Sequence, residues 1–118
     1  MPLPQNEESK LRVERTEVSG RIVMIVSGRM DAENASLFEQ ECMRCIADGH
    51  TTLVADLRGL AYISSIGLRS FLSVAKTLQS KGGALRLYGL NGLVKQVLEI
   101  TGLLQVFSVY DSVESAVL

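Results

Sequence analysis

The sequence predicts one α/β domain: a mixed, mostly parallel sheet of about five strands packed with four helices. Three observations lead there. The chain has 118 residues, enough for one core and too few for two. From residue 21 onward, short runs of branched apolar residues alternate with stretches whose apolar residues recur at spacings of three and four. Such alternation builds a parallel sheet with right-handed crossovers, and a hairpin signal ahead of it adds an antiparallel edge.

Residues 1–10 read as a flexible polar tail, because Pro2 and Pro4 oppose regular structure, and the domain proper is expected over 11–118. A strand over 11–18 carries Leu11, Val13 and Val18, and Ser19-Gly20 marks a hairpin turn. The run RIVMIVS at 21–27 is almost wholly apolar, as a strand buried on both faces should be, and Gly28 stops it. A helix is expected over 31–48, with Ala35, Phe38, Cys42, Cys45 and Ile46 on one face, Asp31 or Asn34 as cap and Gly49 as stop. TTLVADL at 51–57 reads as a second buried strand. The next helix is expected over 68–80, with Leu68, Phe71, Leu72, Ala75 and Leu78 inward, ended by Lys81-Gly82-Gly83. A strand at 84–88, a helix at 92–100 closed by Gly102, a strand at 106–110 and a short helix capped by Asp111 complete the chain.

Composition narrows the function. The formal net charge is −1, with acids and bases scattered, so no basic stripe exists to neutralise a nucleic-acid backbone. No apolar run approaches the roughly 20 residues of a membrane span, so no membrane insertion is expected. The start of the chain lacks the basic flank and apolar stretch of a signal peptide, which points to the cytoplasm. Cys42 and Cys45 form C-x-x-C, but on the inward face of a helix, and His50 is the single histidine. A zinc site needs more ligands than these, and a redox pair belongs at a helix start, so the thiols are read as buried and inert, with no metal site.

Catalysis in this fold class works at the carboxyl ends of the strands. The residues expected there are Gly28-Arg29-Met30-Asp31, Asp56 with Arg58, the stretch 62–68, Gly89-Leu90-Asn91, and Tyr110-Asp111. They include no cysteine and no histidine, since His50 precedes a strand at the opposite end, so no Ser-His-Asp triad can form. No phosphate-cradling glycine loop is present. The chain is therefore read as a binding protein, not an enzyme, with no cofactor. What remains is Ser64-Ser65 ahead of the second helix. One serine there can simply cap the helix. The same place suits a phosphate, because free N–H groups and the positive dipole end converge on it.

Several stretches resemble one family. LVADLRGLAYISSIGLR at 53–69 is similar to the signature of STAS domains, the sulphate-transporter and anti-sigma-factor-antagonist family. VSGRMD at 26–31 resembles that family's segment after the second strand. NGLVKQVL at 91–98, TGL at 101–103 and VYDSVESA at 109–116 are similar to its third-helix and C-terminal regions. The resemblance implies a SpoIIAA-like anti-sigma factor antagonist. Such a protein binds an anti-sigma factor that is also a serine kinase, is phosphorylated at the second helix and released, and is restored by a metal-dependent serine phosphatase. The family's acceptor falls on Ser65, its acid near the end of the third strand on Asp56, and its acid after the second strand on Asp31. Antagonists often read Asp-Ser-Ser-Gly or Asp-Ser-Thr-Gly here. This chain has Ser64 in place of the aspartate and Ile66 in place of the second hydroxyl residue, which leaves Ser64 as a rival acceptor.

The expected partner surface comprises Met30, Asp31, Asp56, Arg58, Ile66, Gly67, Arg69 and Asn91, with apolar contact near Met30, Ile66 and Gly67. Asp31 and Asn91 also suit caps or turns, and Asp56 suits bonds to loop N–H groups. Two rivals stand beside the phosphorylation switch. One is a constitutive scaffold subunit of a secretion, stressosome or lipid-transport complex, in which Ser65 is only a cap. The other is a nucleotide-binding enzyme, which the missing phosphate loop disfavours.

Overall fold

The computed structural model describes residues 10–118, and in it five strands pair in chain order β1-β2-β3-β4-β5. The expected N-terminal tail, apart from Lys10, lies outside the described residues. β1 (Arg12–Val18) pairs antiparallel with β2 (Arg21–Met30) through a two-residue turn. Ser19 and Gly20 have φ of 52° and 79°, the left-handed pair that a type I′ hairpin requires. β3 (Thr52–Ile63), β4 (Ala84–Tyr88) and β5 (Ser108–Tyr110) then add in parallel, each beside its predecessor.

Because the parallel strands add in one direction, right-handed crossovers place their helices on one face. These are α1 (Ala35–Ala47), α2 (Ser65–Ser80) and α3 (Gly92–Ile100). The main core forms beneath them from Met24, Val26, Phe38, Leu53, Phe71, Leu78, Leu87 and Leu98, among others. Phe38 of α1 stacks on Phe71 of α2 at 4.4 Å, and Phe107 meets Phe71 edge-on at 6.4 Å. Burying each such ring stabilises the fold by about 1.5–3 kcal/mol. The opposite face is covered by α4 (Val113–Ala116), whose Ala116 and the following Val117 pack on Val23 and Val54. Among the described residues no helix is long and apolar enough to cross a membrane.

Several boundaries differ from expectation, each for a local reason. β3 does not stop at Leu57; it runs to Ile63, because β2 also extends, to Met30, and the two keep pairing. α1 starts at Ala35, because Asp31 to Asn34 form a turn. There the Asp31 carboxylate accepts from the Glu33 and Asn34 N–H groups, and Asn34 Oδ1 accepts from the Asp31 N–H. α2 begins three residues earlier than expected, and its buried stripe is Gly67, Ser70, Phe71, Val74, Ala75 and Leu78, with Leu68 and Leu72 at its margin. A 3-10 turn (Leu103–Gln105) delays β5 to Ser108. The cap of α4 is Ser112, whose hydroxyl accepts from the Ser115 N–H, not Asp111.

Both cysteines are free and buried on the inner face of α1. Burial pushes both thiols up, Cys42 furthest, so neither is a ready nucleophile. Among the described residues no group of three or more potential metal ligands gathers.

Candidate partner-docking and modification site

The site is the start of α2, and a two-stranded ribbon holds it out from the sheet. β4 accompanies β3 only as far as the Asp56–Tyr88 pair. Beyond it β3 pairs with β2 alone, Ser27 opposite Gly59 and Met30 opposite Ile63, across two shifts of register. Gly59 permits this, since a β-carbon there would lie 2.8 Å from Ser27 Cβ. At the outer end the Ser64 N–H donates to Met30 O at 2.8 Å, so the ribbon fixes where α2 begins.

The two serines divide the work. Ser64 is the N-cap, with φ −83° and ψ 172°, and its Oγ accepts from the Gly67 N–H at 3.1 Å. Ser65 is the first helical residue and is exposed. Its hydroxyl makes no hydrogen bond among the described residues. The hydroxyl free at the positive end of the helix is therefore that of Ser65. Arg69 lies one turn further along α2, exposed and without an ion pair among the described residues, at the spacing of four that brings helical side chains together.

The expected contact residues fall into four groups. Ile66 is 42% exposed and Arg69 is exposed, so both present surface. Met30 and Gly67 do not, which corrects the expected apolar contact there. Met30 is fully buried, and a β-carbon on Gly67 would lie 2.9 Å from Met30 Sδ and 2.8 Å from Ile63 Cγ1. The two seat α2 on the ribbon. Asp31 is half-buried and occupied with its own turn.

Asp56, Arg58 and Asn91 form a separate lock where β3 and β4 part. Asp56 is buried, and its carboxylate accepts twice from the Arg58 guanidinium, at 2.8 and 3.1 Å, and from the Arg58 N–H at 3.2 Å. The hydrogen bond to Asp56, then its charge, raise the Arg58 pKa further. The guanidinium also lies 5.1 Å over the Tyr88 ring. Asn91 Nδ2 donates to Gly89 O at 2.9 Å and Arg58 O at 3.3 Å, tying the β4–α3 loop to β3. None of the bonds of Asp56 reaches the serines. The pairing of Asp56 with Arg58 was missed in the sequence; its signal there is that residues two apart on a strand share a face.

Leu37 and Leu93, 38% and 50% exposed, were missed. Each sits in the first turn of its helix, α1 or α3, at the same end of the sheet as Ile66. Their signal in the sequence is an apolar residue lying off the helix's inward stripe. His50, as expected, lies at the other end, 3.4 Å from Arg15 Nη2.

This architecture has recognised relatives. A family model described as the STAS domain matches residues 12–116. BtrV of Bordetella bronchiseptica, named as an anti-sigma factor antagonist, is 36% identical over 106 residues, covering 90% of this chain and 91% of that protein. The anti-sigma F factor antagonist of Paenibacillus polymyxa is 24% identical over 103 residues, covering 86% and 88%. The crystal structure of an anti-sigma factor antagonist from Mycobacterium paratuberculosis has the same fold, with a TM-score of 0.81 at 24% identity over 92% of each chain. The mixed sheet, the helix set and these matches agree: the chain belongs to the STAS domain family.

Proposed function

We propose that this chain is a cytoplasmic anti-sigma factor antagonist that binds an anti-sigma factor serine kinase and is switched off by phosphorylation of Ser65. The single observation carrying this reading is the division between the serines. Ser64 caps α2 and leaves the Ser65 hydroxyl exposed and unbonded at the helix's positive end. The relatives named as anti-sigma factor antagonists support the choice of partner.

In the unmodified form, Ile66, next to that serine, and Leu37 and Leu93, at the same end of the sheet, offer exposed apolar surface. The kinase transfers the γ-phosphoryl of ATP: a bond forms between Ser65 Oγ and phosphorus, the bond to ADP breaks, and the serine proton passes to a kinase base. Phosphate adds about −1.5 to −2 charges. The domain tolerates it, since the helix dipole favours an anion by roughly 0.3–1 kcal/mol and Arg69 lies one turn away. An apolar partner surface does not tolerate it. A tenfold loss of affinity takes about 1.4 kcal/mol, well below the penalty for burying an uncompensated charge. A metal-dependent serine phosphatase then hydrolyses the ester and restores the binding form.

The test is incubation with ATP and the cognate kinase, mapping of the modified residue by mass spectrometry, and calorimetric titration of variants. Phosphate is expected on Ser65. Ser65→Asp should weaken kinase binding tenfold or more, and Ser65→Ala should bind like the parent yet resist modification. Modification of neither Ser64 nor Ser65 defeats the switch. Binding indifferent to Ser65→Asp identifies a constitutive scaffold subunit instead.

A further inference from the structure

A cavity of about 240 Å³ opens beside the last two strands, away from the serine-bearing ribbon. It lies among the loop after β4, the middle of α3, the 3-10 turn and the end of β5. Leu90, Leu104 and Val109 give it apolar walls, and Lys95, Tyr110 and Asp111 bring polar groups to it. This is the crevice outside the carboxyl ends of parallel strands, where open α/β sheets bind ligands.

The polar groups are uncommitted. Among the described residues, Lys95 and Asp111 make no ion pair, with each other or with any other group, and no side-chain hydrogen bond. The Tyr110 hydroxyl is likewise unbonded, and the ring's one polar contact is the Arg86 guanidinium, 5.7 Å from its centre. An ammonium and a carboxylate thus line one cavity without neutralising each other, beside a hydroxyl able to donate or accept. The space is below the roughly 300–1,000 Å³ of sites for drug-sized molecules and equals about eight waters at roughly 30 Å³ each.

We propose that this cavity binds a small aliphatic amino acid. Its carboxylate meets Lys95, its ammonium meets Asp111, Tyr110 bonds one of the two, and its side chain replaces water against Leu90, Leu104 and Val109. Neither an anion nor an apolar molecule alone uses all the groups present. Occupancy does not depend on the serine switch, so the two proposals stand or fall separately.

The experiment is a titration of the full chain, labelled with nitrogen-15 and followed by two-dimensional amide NMR. The probes are L-leucine, 4-methylpentanoate, which lacks the ammonium, and 3-methylbutylamine, which lacks the carboxylate. L-leucine should produce saturable shifts centred on Leu90, Lys95, Leu104 and the 109–111 amides. Each analogue should bind about tenfold or more weakly, having lost one charged hydrogen-bonding group. Lys95→Met and Asp111→Asn alter exposed side chains, and their spectra will report whether the fold is kept. Each should weaken L-leucine by a similar factor. Absence of saturable shifts at those amides up to tens of millimolar overturns the proposal. So does equal binding of either analogue, or unchanged binding by the two variants.

Discussion

The starts of α2 and α3 occupy equivalent places, each at the carboxyl end of a parallel strand and each with an exposed apolar residue in its first turn. They are held in different ways. At α2, a side chain does the work: Ser64 caps the helix, the backbone there is extended, and the next residue keeps a free hydroxyl. At α3, backbone shape does the work. Gly89 and Gly92 have φ of 79° and 54°, and Asn91 makes no cap hydrogen bond; its amide Nδ2 donates backward to Gly89 O and Arg58 O. The comparison teaches that a helix N-terminus is available for chemistry when a neighbour satisfies the cap. When the capping residue is spent on binding loops together, the start of the helix is held by backbone shape instead.

The contrast can be broken first at Gly89. A β-carbon there collides with Arg58 Cγ in a left-handed backbone, which strains any L side chain. Gly89→Ala should cost about 2–3 kcal/mol in urea unfolding, from strain and overpacking together. A loss under half that would mean that backbone shape does not hold the α3 start. Next comes Ser64→Ala, which removes a true cap and should cost about 1 kcal/mol, whereas Ser64→Asp keeps an acceptor and should be nearly neutral. Equal losses in the two variants would show that the hydroxyl does not cap α2. The smallest effect belongs to Asn91→Ala. Its bonds are solvent-exposed, so about 0.5 kcal/mol is expected, with the helix content of α3 by circular dichroism unchanged. A loss of α3 helicity would make Asn91 a cap after all.

Much of the fold was legible. The order of elements and the inner face of α1 followed from period, because burial on one side imprints itself on spacing, and the antiparallel opening edge followed from the Ser19-Gly20 turn. The inert placement of Cys42 and Cys45 followed from the same periodicity. What local patterns hid was pairing between distant segments. Arg58-Gly59 looks like the end of a strand, yet Gly59 is where β2 comes close enough to keep pairing, and only the partner strand reveals it. Met30 follows Gly28-Arg29 and so reads as loop, but the ribbon folds it under α2, which turns an expected contact into core. The expected cap Asp111 gives way to Ser112, because the capping position depends on where β5 ends. At the site, the residue types singled out Ser64 and Ser65, and the family resemblance put Ser65 first with Ser64 as its rival. What local patterns could not show is that the Ser64 hydroxyl is engaged, accepting from the Gly67 N–H.

The ribbon has a consequence beyond placing one helix. Because residues 59–63 pair with β2 alone, the exposed Ala61 and the half-buried Tyr62 can change without disturbing the strand order that β4 and β5 depend on, whereas Gly59, Leu60 and Ile63 are held by close packing. Duplicated copies of such a domain can drift apart in whom they meet while inheriting an unaltered way of folding. Signalling lines built from one ancestral module can then coexist in a cell without crossing.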